Sequence, residues 1–581
     1  MPSFTPKELE ILEKYVTNPR GTIFAVHGLS GIIGPAYARY SRARGSFLET
    51  FLKEFLKEGK LDALKAREVI ERILVAYGDD SVGELEGGHV SFEEISVLAT
   101  KEIQDRRIGG SPIEQSTRYV VYDQKDSEGR FRYARPAEIM RSKHAKAYEK
   151  LMDDLFSAYA ALVEPMQEFF RARKPLDSAE YDIRGIGKKQ KLSDLSGDKE
   201  IKAFKLTHKF DLRTKTCDTI RVLLPASVRT NVGMFGNGRF YQNLLTHLYS
   251  HELEEMRDIA KKAHAELNQI MPVFVKRAKP NEYVLQTKKR MKRIAGKLFA
   301  GVMPRRNSQS VLLLPREIEE VGRIGSSEGS KELMTRYEEV FEVNMIAQML
   351  FPYLSHPISQ IRDAVRALSP SKREEILLAY YGDRATRRDR PGRALEYGYD
   401  LTFELEADFG SYRDLERHRM LTQERQLLSP HIAFVVPEEL KEAGFEENVC
   451  VLKERSAALY DEIAADLGRE VAQYAALFGF HIRWIMGMND REAMHLLELR
   501  TVPQGHPSYR DVCQKMHKEI LKKRAKWRGK AMKFVDYDNY YWARGDSEAR
   551  QRVKEKVLGE KYEEVGRVIY STKERKTQTE R

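Results

Sequence analysis

The sequence predicts a mixed α/β protein assembled from two divergent copies of one domain, and three observations lead there. Residues Phe47 to Tyr77 place Leu48, Phe51, Leu52, Phe55, Leu56, Leu64, Ile70, Ile73 and Leu74 at three- and four-residue spacings, which reads as an amphipathic helix pair broken at Gly59. Tyr397, Tyr399, Leu401, Phe403 and Leu405 alternate with Gly398, Asp400, Thr402, Glu404 and Glu406, the period of a strand. Asn237-Gly-Arg239 is followed by Asn243-Leu-Leu, and 252 residues later Asn489-Asp-Arg491 is followed at the same spacing by His495-Leu-Leu.

The other elements follow from the same rules. Arg221–Ala226 and Ile432–Pro437 read as short buried strands, each upstream of one copy of the Asn-x-Arg motif. A helix is expected after Ser250, the N-cap, with Leu253, Met256, Ile259, Ala260, Ala263, Leu267 and Ile270 along one stripe. Residues 171–210 are polar and Gly- and Lys-rich and read as an insertion. Residues 287–333, basic and then Gly/Ser-rich, suit a linker, and the chain from about 545 is a charged tail. A second echo sits upstream of each Asn-x-Arg motif: Asp105-Arg106-Arg107 precedes Ser111, and Arg417-His418-Arg419 precedes Thr422. This pair is 311 residues apart, so the first copy carries extra sequence where the 171–210 insertion lies. The expected division is a first domain at 20–286, a linker at 287–333, a second domain at 334–544 and a tail at 545–581.

Composition narrows the function. A formal charge of +12 over 581 residues favours anionic ligands without marking a nucleic-acid binder. Three scattered cysteines, Cys217, Cys450 and Cys513, suit a reducing, cytoplasmic setting and neither a disulfide framework nor a thiolate metal site. The first residues lack a signal-peptide order, and no apolar run is long enough to span a membrane, so membrane partners are not expected.

The sharpest chemistry lies in Glu114-Gln115-Ser116-Thr117-Arg118-Tyr119. From an extended loop, Glu114, Ser116 and Arg118 would point the same way: a guanidinium fork for a phosphate or pyrimidine edge, a hydroxyl, and an acceptor for a ribose hydroxyl or ring N–H. Gly109 and Gly110 would admit a phosphate close to the backbone. Arg417-His418-Arg419 could clamp a pyrophosphate, against the plainer reading of a charged helix end. His247 and His251 share a helix spacing but have no third ligand, so no metal is expected. No GxGxxG or GxxxxGK[ST] string occurs. Nine basic residues between Lys515 and Lys533 flank Trp527, a candidate polyanion-binding helix or a solvated face.

With these residues in view, the sequence resembles the flavin-dependent thymidylate synthases, whose signature is of the type RHRxxSxxExSxRY. The first half keeps Arg106, Ser111, Glu114, Ser116, Arg118 and Tyr119, with Arg107 and Ile108 in place of the His and second Arg. The second keeps Arg417, His418 and Arg419 with Thr422, but has Arg425, Leu427 and Ser429 where Glu, Ser and Arg belong. Downstream, the first half has the strand Arg221 and Asn237, Arg239 and Asn243, but Leu248 where a nucleotide-binding Arg belongs. The second supplies that residue as Arg500, with Asn489, Arg491, His495 and Gln473 at the other positions. Ala38–Ala43, Asp79–His89 and Arg390 or Arg393 to Glu396 fit the family more loosely.

The resemblance implies two tandem thymidylate synthase-like domains forming a pseudo-dimer. It also implies a homodimer that imitates the family's homotetramer, with composite sites. The implied reaction is reductive methylation of dUMP to dTMP using FAD, methylenetetrahydrofolate and NADPH, without a protein nucleophile. Arg118 and Arg500 are the implied catalytic residues, and Arg106, Ser111, Glu114, Gln115, Ser116 and Arg221 would join them in holding a dUMP-like nucleotide. Arg417, His418, Arg419, Asn237, Arg239, Asn243, Asn489, Arg491 and His495 would hold FAD. Two alternatives stay open: a diverged flavoenzyme acting on another nucleotide or a nucleic-acid base, and a non-catalytic nucleotide- or nucleic-acid-binding module.

Overall fold

The computed structural model describes residues 4–29, 31–41, 43–57, 60–62, 65–66, 68–69, 83–106, 108–324, 330–386, 388–542 and 544–553. Two antiparallel sheets organise the chain. In the first, β1 (Gly87–Ser96), β2 (Gly110–Glu114) and β3 (Arg229–Asn237) stand in the order β1-β3-β2. The second holds β4 (Val311–Leu313), β5 (Leu401–Asp408), β6 (Thr422–Arg425) and β7 (His481–Met488), in the order β4-β5-β7-β6.

The helices complete a repeated plan. In the first half, α1 (Val97–Gln104) joins β1 to β2, and α2 (Ala145–Arg173) and α3 (Asp198–Ile220) lead to β3, which runs into α4 (Gly238–Tyr249) and α5 (Glu254–Ile270). The helices between these two sets of elements include α6 (Glu282–Leu298) and α7 (Ser330–Leu350). The second half repeats the plan with α8 (Phe409–Leu415) joining β5 to β6, α9 (Glu446–Leu467) preceding β7, and α10 (Asp490–Arg500) and α11 (Pro507–Lys523) following it.

Strand register makes the repeat exact at the level of single residues. Ser111 faces Phe235 and Thr422 faces Gly487, two positions before Asn237 and Asn489 respectively. Glu114 faces Val232 and Arg425 faces Trp484, so these two are equivalent as well. Both motif asparagines cap their helices: Asn237 Oδ1 accepts from Phe240 N at 2.8 Å and Asn489 Oδ1 from Glu492 N at 3.0 Å.

The halves meet through reciprocal backbone bonds. Ala226 N donates to Ala476 O and Phe478 N to Leu224 O, each at 2.8 Å, flanking the bridge between Pro225 and Leu477. These are the same contacts made twice with the roles of the halves exchanged, the mark of an isologous, two-fold arrangement. One apolar core runs through both halves, from Phe92 and Val232 to Phe403 and Trp484. β3 buries alternate residues, whereas seven of eight in β7 are buried. The difference lies in Ile485, on the opposite face from Trp484 and Met486, which packs with Met291, Ile346 and Ile361 in a second core. The segment read as a linker thus supplies α6 and the edge strand β4, which cover the second sheet.

Local expectations fared unevenly. β5 overlaps the alternating run, starting four residues after Tyr397 and ending two after Glu406, and it is buried on both faces. Ser250 is the C-cap of α4 and not the N-cap of α5, which starts at Glu254 behind Leu253, because its hydroxyl donates to Thr246 O at 2.7 Å. Arg221–Ala226 is no strand: Arg221–Leu223 continue α3 as a tight turn, and the rest forms the bridge between halves. Ile432–Pro437 contributes one isolated bridge, Phe434 to Phe480, rather than a ladder. Of the expected helix pair, Phe47–Glu54 is helical and Leu56–Lys57 pairs with Lys60–Leu61, while Gly59, Leu64, Ile70, Ile73 and Leu74 lie outside the described residues. Residues 79–82, Arg107 and the tail from 554 also lie outside them.

The 171–210 segment is ordered around Ala179, Tyr181, Ile183, Leu195 and Phe204, and the chain's C-terminal segment completes that cluster with Ala549. No helix among the described residues is long and apolar enough to cross a membrane.

Candidate site at the junction of the halves

α1 and α8 begin behind equivalent caps, Ser96 and Asp408, and meet at the junction. Each carries one cation on its buried side, Lys101 and Arg413, both under 6% exposed. Both converge on Glu114, Lys101 Nζ at 3.2 Å and Arg413 Nη2 at 2.7 Å, with Gln104 Nε2 at 3.0 Å and Thr100 Oγ1 at 3.2 Å. Lys101 also pairs with Glu416 of the second half. Burial alone would raise Glu114, but Lys101, Arg413 and Arg417 outweigh it and hold its carboxyl far below the usual range. Glu416 has the weaker company, and burial pushes it up to about 7.

Four guanidiniums gather beside this network. Arg118 grips Asp218 bidentately, at 2.7 and 2.6 Å, and donates to Gln504 O at 3.1 Å. Asp414 lies 2.7 Å from Arg417 and 3.6 Å from Arg221, and against its burial these two, with Arg118 and Arg500, pull its carboxyl down to about 2. Within this group Arg221 Nη2 is buried without a partner. That orphaned donor, which shares Asp414 with Arg417, fits an anionic group such as the phosphates of a nucleotide or of a flavin dinucleotide.

Arg500 reaches the same place from α10. Its Nε donates to His418 Nε2 at 2.9 Å, and His418 Nδ1 meets Glu492 at 3.0 Å. Because Arg500 Nε can only donate, His418 Nε2 accepts and the ring's Nδ1 faces Glu492 with its proton, while burial lowers the His418 pKa. The His495 ring lies 5.6 Å from that of His418, and Arg491 is exposed on the same helix. Arg417–Arg419, Arg500 and the Asn489 set therefore form one neighbourhood, and the Glu114-to-Arg118 segment of the other half joins it.

The equivalent position in the first half is closed by ion pairs. Arg425, where the second half lacks its Glu, pairs with Glu102, and Arg393 binds Asp105 at 2.6 Å. Arg106 Nη2 donates to His247 Nδ1 at 3.1 Å, and His247 Nε2 bonds Glu102 at 2.9 Å, so the two histidines of the helix spacing, His247 and His251, both serve that carboxylate. Asn237 packs against Gly109, whose positive φ no Cβ could accompany without meeting its amide. Arg239 pairs with Glu84, and Asn243 is exposed. The Asn237 set thus belongs with the Arg106 loop and not with Arg417–Arg419.

Two expectations need correction. Glu114, Ser116 and Arg118 do not project together from an extended loop. The chain turns at Ser116, whose Oγ accepts from Arg118 N at 3.2 Å, so Arg118 leaves toward α3 while Glu114 points into the junction. Ser111 is exposed, and Gln115 lies on the edge of β3 with its Oε1 buried and unpartnered. The basic 515–533 face is partly structural: Arg524 donates to Leu314 O and Asp400 O, at 3.0 and 2.8 Å, and Arg528 holds Asp490. Lys101, Arg413, Asp218 and Asp414 escaped notice in the sequence. A signal existed, since a cation inside the apolar turn after each cap, VLATK and FGSYR, recurs once the two halves are set side by side.

Fold and site together define a tandem-repeat protein of mixed helix and sheet whose repeated motifs gather between its halves. The family model described as thymidylate synthase complementing protein matches residues 36–273 and 359–525, one segment in each half. The chain belongs to that family. It is 33% identical to a UPF0159 protein of Chlamydia pneumoniae over 561 residues, covering 94% of this chain and 98% of that one. A UPF0159 protein of Thermoplasma acidophilum is 28% identical over 526 residues, with 90% and 98% covered. Among solved structures, thymidylate synthase X of Helicobacter pylori with FAD and dUMP matches at 18% identity and a TM-score of 0.22, covering 42% of this chain and 93% of that one.

Proposed function

We propose that this protein is a FAD-dependent thymidylate synthase-type enzyme, reductively methylating dUMP to dTMP with methylenetetrahydrofolate and NADPH. The two domains, 20–286 and 334–544, would build one surviving composite site per chain. The observation that carries the reading is the convergence of Arg118 and Arg221 from one half with Arg417, His418 and Arg500 from the other around Asp414. Family membership supports the class of chemistry. FAD, when bound, supplies the redox chemistry.

The chain's part is positioning and charge. Arg118, held in one rotamer by Asp218, presents its guanidinium to the nucleotide, and Arg221 Nη2 offers a desolvated donor. Arg500, steered by His418, would sit over the pyrimidine carbonyls, while Arg417, Arg419, Asn489, Arg491 and His495 would hold the flavin dinucleotide. The closed counterpart around Arg106, Glu102 and Arg425 would be a relic. The chain would pair into a homodimer that imitates the family's tetramer, which light scattering of the purified protein measures directly.

The engagement of Glu114 by Lys101 and Arg413 favours one second reading, a flavoenzyme of this architecture acting on another nucleotide or base. An absorbance spectrum taken during dUMP titration separates them. Flavin bands that shift with dUMP support the proposed reaction. Bound flavin indifferent to dUMP favours the second reading, and no flavin after FAD addition refutes both.

A further inference from the structure

A cavity of about 170 Å³ opens on the far side of Arg118. Its floor is α3, with Asp211, Thr214, Lys215, Asp218 and Thr219; the turn His506–Ser508 forms one wall and Tyr541, Trp542 and Arg544 another. The last three lie beyond both segments matched by the family model. They return from the second half to the first and are firmly seated there. Lys215 lies 4.0 Å from the Tyr541 ring centroid and Lys174 lies 5.0 Å from that of Trp542. Gly545 N donates to Asp211 Oδ1 at 2.8 Å, and Lys189 pairs with Asp546 at 2.7 Å. The 171–210 segment and α3 are therefore the seat for this C-terminal strap.

The walls carry Arg118, Lys215 and Arg544 against Asp211, Asp218 and Glu439, and Lys174 behind Asp211 adds a fourth cation. Each carboxylate already has a cation of its own: Asp218 has Arg118, Glu439 has Lys215 at 2.6 Å, and Asp211 has Lys174 at 2.7 Å. Arg544 has none among the described residues. Its Nη1 donates to Tyr119 OH, its guanidinium lies 5.0 Å from the Tyr119 ring centroid, and its Nε is buried without a partner. Burial lowers its pKa, and the nearby Arg118 lowers it further. With Asp211, Asp218 and Glu439 each paired to another cation, Arg544 is the cation left for one more anion.

We propose that Arg544 and Arg118 form an anion site in this cavity that takes a phosphate group. On the reading of the preceding section, on which this assignment of source rests, the phosphate is that of the pyrimidine nucleotide; otherwise it is free phosphate. The space suits a tetrahedral oxyanion with a few waters, at about 30 Å³ of liquid volume per water. The unused hydrogen-bonding capacity of Arg544 Nε and the Ser508 hydroxyl complete the donors, and Tyr541 and Trp542 exclude solvent on one side. Arg544 is thus a binding residue that the family signature does not contain.

Calorimetric titration of the full-length protein with dUMP, deoxyuridine and inorganic phosphate tests this, using wild type, Arg544→Gln and Arg544→Lys. Thermal melts check that both variants fold. The expectation is that Arg544→Gln weakens dUMP about ten-fold or more, leaves deoxyuridine within about two-fold, and is partly rescued by Arg544→Lys. A folded Arg544→Gln protein that binds both dUMP and phosphate like wild type overturns the inference and leaves the proposed function standing. Wild-type binding of phosphate but not dUMP, lost in Arg544→Gln, keeps the anion site and removes the dUMP reading. Wild type that binds neither overturns both.

Discussion

Replacing Lys101 by Met removes a cation that pairs directly with both Glu114 and Glu416. Lys101 is fully buried, and so is the Glu416 carboxylate, whose Oε2 already lacks a partner. Glu114 retains Arg413 and Gln104 after the change, but Glu416 retains no cation as near. Breaking a buried ion pair from one side costs about 3–5 kcal/mol, because the remaining charge is left desolvated. At about 2–4 °C per kcal/mol for a unit of 150–250 residues, the melting midpoint falls by roughly 6–20 °C.

The sign with pH follows from Glu416. Its folded pKa lies above its unfolded value, at about 7, so stability falls as pH rises through that value. Without Lys101 the folded pKa rises further, and the variant's deficit grows between pH 5.5 and pH 8. Differential scanning calorimetry at the two pH values measures it. Adding Glu416→Gln to Lys101→Met removes the stranded charge and recovers most of the loss. A single variant that melts with wild type, or a deficit that neither grows with pH nor yields to Glu416→Gln, refutes the reasoning.

Three further outcomes follow from named contacts. Arg118→Ala strands the buried Asp218, whose carboxyl Arg118 and His506 hold well below the usual range against the effect of burial; that stabilisation is present above the unfolded carboxyl pKa and lost as pH falls through the folded one, so the deficit in thermal melts is largest near neutrality and shrinks in acid. Asn237→Ala and Asn489→Ala each lose an N-cap bond and about 1 kcal/mol, with faster hydrogen exchange at Phe240 and Glu492; lost flavin binding with unchanged stability would instead assign those amides to the ligand. Burial pushes the Cys217 and Cys513 thiols up to about 12, so a thiol reagent at pH 8 modifies Cys450 alone in the native protein and all three after denaturation.

The tandem repeat was legible in the sequence because it rests on local chemistry. An asparagine that caps a helix after a strand, with paired leucines two turns on, leaves the same string wherever it occurs, and Asn237 and Asn489 do cap equivalent helices. The alternation around Leu401–Leu405 is equally local and located β5. Apolar runs without a period were not decisive: RVLLPA is buried at the bridge between the halves and not in a sheet ladder, while IAFVVP is only half-buried and makes one bridge, Phe434 to Phe480, inside its own half.

Site membership depended on tertiary structure, for a physical reason. Whether Glu114 is free or bound depends on Lys101, 13 residues before it, and on Arg413, 299 residues after it, and whether Arg118 faces solvent depends on Asp218. Charges separated this far in sequence become partners only when the fold brings them together in a desolvated junction. The sequence alone therefore determined the class of fold, its duplication and the motifs that recur in the two halves. Only the three-dimensional structure decided that Glu114 through Arg118 meets Arg417 and Arg500 of the other half, that the counterpart site is closed by Arg425 and Arg393, and that the polar insertion seats a C-terminal strap carrying Arg544 beside Arg118.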